Sequence, residues 1–135
     1  MAKETLQERI AIRWQRAAKA NEFIAVIASC GARHFSYIGR PSSFEIDQRG
    51  LVWFRDSYSM RCICTHRTHG RWKGFTNGGT MRALVIHLRD YIMTGEPQPL
   101  NLGPWPDWLC GGDLWDYGKD MDGVRLTALR LGLTK

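Results

Sequence analysis

A helical stripe that stops abruptly at residue 28, followed by short aromatic and β-branched runs, decides most of what this chain can fold into. Leu6, Ile10, Trp14, Ala17, Asn21, Ile24 and Ala28 recur at steps of three and four, the spacing of one face of an α-helix. The pattern predicts a helix over residues 4–30 with Gly31 just past its end, where a left-handed residue commonly closes a helix. Arg9, Arg13 and Arg16 fall on a neighbouring face, and Asn21 interrupts the stripe and marks a place where the helix could break.

From Arg33 the texture changes. "RHFSYIG", "SSFEID", "LVWFRD" and "MRCICTHR" are rich in aromatic and β-branched residues and are bounded by Gly, Pro, Ser and Asp, which is the signature of antiparallel strands. "DQRG" between the second and third run is short enough for a hairpin in which Gly50 takes a positive φ. Alternation places Phe44 and Ile46 on one face, with Glu45 and Asp47 on the other. A second helix follows in "TNGGTMRALVIHLRDYIMTGE", with Thr76, Asn77 or Thr80 as caps and Met81, Leu84, Val85, Leu88 and Ile92 on one face; Gly95 and Pro97 stop it. The next stretch, running from Glu96 to Gly123, holds four of the five prolines and three tryptophans, and reads as an ordered loop wrapping the core. Asp120 or Asp122 caps a short final helix, "GVRLTALRLG", closed by Gly132. The expected fold is α+β: an antiparallel sheet of three to four strands packed against a long N-terminal helix and a second helix, with a Trp/Pro/Gly-rich C-terminal segment. Residues 1–135 read as one domain of this kind.

Charge is unevenly placed. The net +6 resolves into +2 over residues 1–32, +7 over residues 33–89 and −3 over residues 90–135. A basic middle beside an acidic tail suits a surface that attracts polyanions, although arginines also line exposed sheet faces for solubility. There is no apolar block of signal-peptide or membrane-spanning length, and the four cysteines are irregularly spaced; the chain therefore reads as a cytoplasmic protein of reduced thiols, without membrane contact.

"MRCICTHRTHG" offers the densest chemistry, with two cysteines and two histidines within residues 62–69. Zinc draws its four donors to within about 4 Å of one another, whereas same-face residues on a strand step apart by about 6.6 Å. An extended segment therefore keeps Cys62, Cys64 and His66 from sharing an ion. Only a bend after Cys64 would gather Cys64, His66 and His69 as metal ligands. The preferred reading assigns no metal and no cofactor: the cysteines pack as small apolar residues and the histidines stand at the strand end in solvent. A nucleophilic Cys64 or Cys110 lacks any identifiable base or oxyanion hole, and His87 reads as a partly exposed helix residue. "TNGGT" opens a helix as an anion-binding loop would, but lacks the lysine of a phosphate loop and is better read as a capping turn.

The favoured binding constellation is Arg33, Arg40, Arg55, Arg61, Arg67, Arg71 and Lys73 interleaved with Phe35, Tyr37, Trp53, Phe54, Tyr58 and Trp72. Guanidinium groups between exposed rings hold phosphates and stack bases. Where "RWKGFTNGGTMRALVIHLRDYIMTGEPQPL" runs into "GPWPDWLCGGDLWDYGKDM", the chain resembles a set of small proteins carried by bacterial prophages, over residues 23–131. "GPWPDWLCGGDLW" is the most specific part. The resemblance implies no activity, cofactor or site residue. It does imply a strand at residues 61–66 that needs no paired cysteines, and the context of a phage accessory gene, among which inhibitors of host defence such as anti-CRISPR proteins recur. The sequence thus points to a non-enzymatic accessory protein in the cytoplasm of a bacterial host, binding nucleic acid or a host nucleoprotein through a basic sheet surface, with counter-defence inhibition of the anti-CRISPR type as one role. The alternative readings are a protein-binding module or homodimer anchored near Trp105 and Trp108, and, below that, a metal-dependent hydrolase around His66 and His69.

Overall fold

A computed structural model describes residues 5–29, 35–66, 72, 74–75, 78–96 and 118–133. Thr5 starts helix α1 (Leu6–Ala28) with a capping box: its hydroxyl accepts from the Glu8 N–H at 3.1 Å while the Glu8 carboxylate accepts from the Thr5 N–H at 3.4 Å. Such a cap contributes about 1 kcal/mol. Ser29 closes the helix, and Gly31 lies outside the described residues. The helix runs unbroken through Asn21. Of the expected stripe, Ala17 and Ile24 are fully buried and Ile10 packs against the core, whereas Leu6 and Trp14 are exposed; the rest of the buried face is Ala20, Phe23 and Ile27, which the stripe did not include. Periodicity reveals which side of a helix is apolar, but the partner surface decides how much of that side is covered.

Strands β3 (Ser43–Ile46), β4 (Val52–Arg55) and β5 (Cys62–Cys64) form an antiparallel sheet in that order. Glu45 faces Trp53 across the first pair and Phe54 faces Ile63 across the second. The "DQRG" hairpin forms as expected: Asp47 Oδ1 accepts from the N–H groups of Arg49 (2.8 Å) and Leu51 (2.9 Å), and Gly50 has φ 84°. "RHFSYIG" departs from expectation. It joins no strand of this sheet and instead gives β1 (Ser36–Tyr37), paired with β2 (Arg40–Pro41) in a separate two-residue hairpin. The inward sheet face is Phe44, Ile46, Val52, Phe54 and Ile63, all buried, and the outward residues Glu45, Trp53, Arg55 and Cys64 are only partly covered.

Helix α2 (Gly78–Thr94) buries Leu84, Val85, Leu88 and Ile92 completely, as its pattern requires. Thr76, Asn77 and the side chains of Thr80 and Met81 lie outside the described residues. Helix α3 (Gly118–Arg130) begins before Asp120, so both Asp120 and Asp122 are inside it and neither is the cap that the sequence suggested. Its Val124 and Ala128 complete the core. The Trp-rich segment, with Trp105, Trp108 and Trp115, lies outside the described residues. No described helix is long and apolar enough to cross a membrane.

Three polar side chains of α1 join these layers. Asn21 Oδ1 accepts from the Phe44 N–H at 2.6 Å and Asn21 Nδ2 donates to the Phe44 carbonyl at 3.2 Å. Because the Asp47 N–H bonds to the Leu51 carbonyl, the alternation of an antiparallel ladder turns both Phe44 groups away from β4. The amide of Asn21 therefore takes the place of a missing strand. Arg13 donates to the Gly50 carbonyl at 2.6 Å, and Arg16 donates to the carbonyls of Ile92 (3.1 Å) and Met93 (3.3 Å), satisfying the C-terminus of α2.

Asn21→Ala leaves the Phe44 N–H and carbonyl without partners at the sheet edge and is expected to cost about 2 kcal/mol. Urea unfolding at constant m-value measures it; a loss below about 0.5 kcal/mol would mean that water replaces the amide without penalty.

Candidate nucleic-acid interface

The residues that sequence analysis grouped for binding separate into three fates. Phe35 and Phe54 are fully buried and Trp72 is 5% exposed. Their rings pack in a chain: Phe35 edge-on to Phe54 at 6.0 Å, Phe54 tilted against Phe75 at 5.5 Å, and Phe75 edge-on to Trp72 at 5.7 Å. Arg82 lies over the Trp72 ring, 4.9 Å from its centre. These rings are core, and Trp72 offers no face to a base, contrary to its expected role. Arg33, Arg67, Arg71 and Lys73 lie outside the described residues.

Arg55 has a partner on the outward sheet face. Its Nε donates to Glu45 Oε2 at 2.7 Å and its Nη1 to the Met60 carbonyl at 3.3 Å. Beside it a groove of about 310 Å³ is lined by Glu45, Ile46, Asp47, Trp53 and Cys62. Trp53 Nε1 donates to Asp47 Oδ2 at 2.8 Å. Burial pushes the Asp47 carboxyl up, but the bonds from Trp53, Leu51 and Arg49 outweigh this and hold it below its ordinary value. The outward face of the sheet is thus occupied by paired carboxylates and does not present a row of guanidinium groups.

The remaining two arginines belong to turns. Tyr37 pairs across the β1–β2 hairpin with Arg40, and the Tyr37 ring meets Tyr58 edge-on, 4.7 Å between centres at 83°. Tyr58 stands on the turn from Asp56 to Arg61. Asp56 Oδ2 accepts from the N–H groups of Tyr58 and Ser59, both at 3.0 Å, and the Asp56 N–H closes the turn onto the Arg61 carbonyl. Two bonds join the turn to its neighbours: the Ser57 N–H donates to Ser42 Oγ at 3.0 Å, and Ser59 Oγ donates to the Gly74 carbonyl at 2.5 Å. Gly74 has φ 94°, and a Cβ there would lie 2.6 Å from Arg61 Cδ, so a glycine is required for the Arg61 stem to lie flat. Arg40 and Arg61 are exposed and have no carboxylate partner among the described residues.

Two apolar side chains complete this protrusion, and sequence analysis missed both. Ile38 is 76% exposed at φ 50° and Met60 is exposed at φ 60°. Ile38 and Gly39 (φ 72°) are the central residues of a two-residue hairpin loop with both φ positive, a turn that favours Asn-Gly. A β-branched residue there is an outlier that costs of order 1 kcal/mol or more. The "IG" before Arg40 was the available signal, since Gly39 marks a turn within a run that otherwise reads as strand.

The Cys/His segment is extended over Cys62–Cys64, but its side chains are not disposed as expected. Cys62 is exposed, with its Sγ 3.9 Å from Glu45 Oε2, and Cys64 is partly covered; the apolar residue that enters the core is Ile63. His66 is not in solvent. Its Nε2 accepts from the Val52 N–H at 3.0 Å, and since a backbone N–H only donates, that nitrogen is bare. Arg89 donates to the Thr65 carbonyl, which frees the Val52 N–H to bond to the imidazole. Among the described residues no three His, Cys, Asp or Glu side chains gather to hold a metal, and His69 lies outside them. His87, expected to be partly exposed, is 8% exposed on α2.

A family model described as YoqU matches residues 11–134. The chain belongs to the YoqU family. No curated protein and no solved structure matches it.

Burial, then the charges of Arg89 and Arg13, lower the His66 pKa from its ordinary value of about 6.5, while Asp47 and Asp90 act weakly the other way; burial likewise lowers His87. The unfolded chain then takes up these protons first, so stability is fully present above pH 6.5 and is lost as pH falls through the lower folded values. Denaturant midpoints measured against pH are expected to show this decline, and His66→Gln, which keeps an acceptor but does not titrate, is expected to shrink it. Superimposable profiles for the two proteins would remove His66 from the account. Separately, Ile38→Asn is expected to raise stability by about 1 kcal/mol through relief of the turn; a fall in thermal midpoint would show that the Ile38 side chain supports the fold.

Proposed function

We propose that this YoqU-family protein is a non-enzymatic phage accessory protein that binds nucleic acid, alone or within a host nucleoprotein. The observation that carries this reading is the exposed Tyr37–Tyr58 pair, with Arg40 across the hairpin from Tyr37 and Arg61 closing the turn that carries Tyr58, neither arginine being neutralised by a described carboxylate. Apolar rings beside unpaired guanidinium groups suit a ligand that has both π faces and phosphates. The +7 charge of residues 33–89 supports it by raising the local concentration of polyanions at low salt. The phage context rests on the family and on the resemblance of residues 23–131 to prophage-borne proteins. Interference with a host defence complex is one role such binding would serve.

The contact region in this reading is the pair of turns at residues 37–40 and 58–61, which is preferred over the outward sheet face because there Glu45 pairs with Arg55 and Asp47 with Trp53. A salt series of binding to mixed-sequence single- and double-stranded DNA tests it. Each phosphate neutralised contributes about 0.7 to the log–log salt slope for single strands and about 0.9 for duplex. Replacing Arg40 and Arg61 together by Ala is therefore expected to flatten the slope by about 1.4 or about 1.8 respectively, with affinity falling at every salt concentration. An unchanged slope would remove these two residues from the interface, and no binding at low salt would remove the function.

A further inference from the structure

We infer, resting on the nucleic-acid reading above, that the protrusion formed by Tyr37, Ile38, Tyr58 and Met60 takes the unpaired bases of a single strand, while Arg40 and Arg61 hold its phosphates.

The first support is the composition of the protrusion. A duplex turns its phosphates outward and keeps its bases stacked, so a duplex reader covers its contact surface with donors and cations. Here most of the exposed surface is apolar: the 62% exposed Tyr58 ring meets Tyr37, and the exposed Ile38 and Met60 follow them in the same two turns, with one arginine in each. An apolar surface is matched by the faces of bases, and those are available only when unpaired. Ile and Met side chains do wedge into duplex steps in some architectural proteins, but such proteins repay the unstacking by wrapping a large surface in bent DNA. Two guanidinium groups on two short turns provide no such surface.

The second support is strain. Ile38 and Met60 both hold left-handed backbone, one in each turn, and each turn is fixed from outside: Ser42 bonds to Phe35 and to Ser57, Ser59 bonds to Gly74, and Asp56 bonds to two amides. Strained, exposed apolar residues on an over-determined scaffold fit a contact surface. The relaxed choice at residue 38 is Asn, which the hairpin would accept without loss of fold. Keeping Ile there supplies an apolar edge against which a base can lie beside the Tyr37 ring.

The test measures fluorescence anisotropy of the whole protein with three labelled probes of equal length at low salt: oligothymidylate, an abasic single strand and a mixed-sequence duplex. Oligothymidylate is expected to bind about tenfold more tightly than the other two, the abasic strand reporting phosphates alone. Tyr58→Ala and Ile38→Asn are expected to bring oligothymidylate down to the abasic level and to leave abasic binding unchanged. Since Ile38→Asn is expected to be more stable than the parent, its loss of affinity cannot be laid to unfolding. Equal binding of all three probes, or retention of the oligothymidylate preference in both variants, would overturn the base-stacking assignment and leave the polyanion reading standing. Failure of every probe to bind would overturn both and leave the protrusion to a protein partner.

Discussion

The joint between Asn21 and Phe44 fixes the geometry on which everything else in this structure rests. A three-stranded sheet has two edges, and β3 is the one against which α1 lies. Its outward N–H and carbonyl at Phe44 would otherwise face an apolar helix surface beside Phe23 and Ile24, where unpaired backbone groups are costly. One amide side chain satisfies both, which fixes the helix in rotation and in position along the strand. Arg13 and Arg16 then extend the same helix to the Gly50 turn and to the end of α2. Hydrophobic burial drives these layers together without specifying direction, and three polar side chains at helical spacing supply the register.

That register has a consequence for the surface. With Phe44, Ile46, Val52, Phe54 and Ile63 committed inward, the outward residues of the same strands pair among themselves: Glu45 with Arg55, Asp47 with Trp53. Beyond this sheet, exposed side chains project from the small β1–β2 hairpin and from the turn between Asp56 and Arg61, neither of which belongs to the sheet's inward face. Arg40 and Arg61, with no carboxylate partner among the described residues, and the exposed Tyr37 and Tyr58 lie on two adjoining segments, Tyr37–Arg40 and Tyr58–Arg61, joined by the Ser57–Ser42 hydrogen bond. The proposed interface is a product of sheet packing as much as of charge.

Much of the fold was legible in the sequence, and the reasons for success and failure are physical. Helix α2 and the Gly50 hairpin follow from periodicity and turn chemistry, which act over a few residues and so appear in the sequence directly. The inward direction of Phe44 and Ile46 follows from alternation. What was illegible depends on partners far along the chain. Leu6 and Trp14 belong to an apolar stripe but stay exposed, although Ile10 between them packs against the core. Asn21 looked like a break in the helix because its role is defined by Phe44, 23 residues away. Trp72 looked like a stacking platform because composition cannot distinguish a ring on the surface from one beneath Arg82. The segment expected to be extended from Cys62 to His66 is a strand only over Cys62–Cys64, with Thr65 and His66 in a turn, and the burial of Ile63 between two more exposed sulfurs follows only from the pairing of Phe54 with Ile63.

The arginines show most clearly why a count of charge is a weak guide to function. Arg13 and Arg16 add to the net charge of this basic chain, but their guanidinium groups are bonded to backbone carbonyls, and the geometry of those bonds would be lost if a phosphate drew them away. Arg55 is held by Glu45, Arg89 by Asp90 and the Thr65 carbonyl, and Arg130 by Glu22. A polyanion would have to displace each of these before gaining anything from it, and the exchange of one ion pair for another in water is worth little. Arg40 and Arg61 require no such displacement. Arg61 is in addition held over Gly74, so less of its side-chain freedom is left to lose on contact. In the proposed interface, two available guanidinium groups beside two exposed rings would therefore attract a strand more effectively than a larger number of arginines already bonded within the fold.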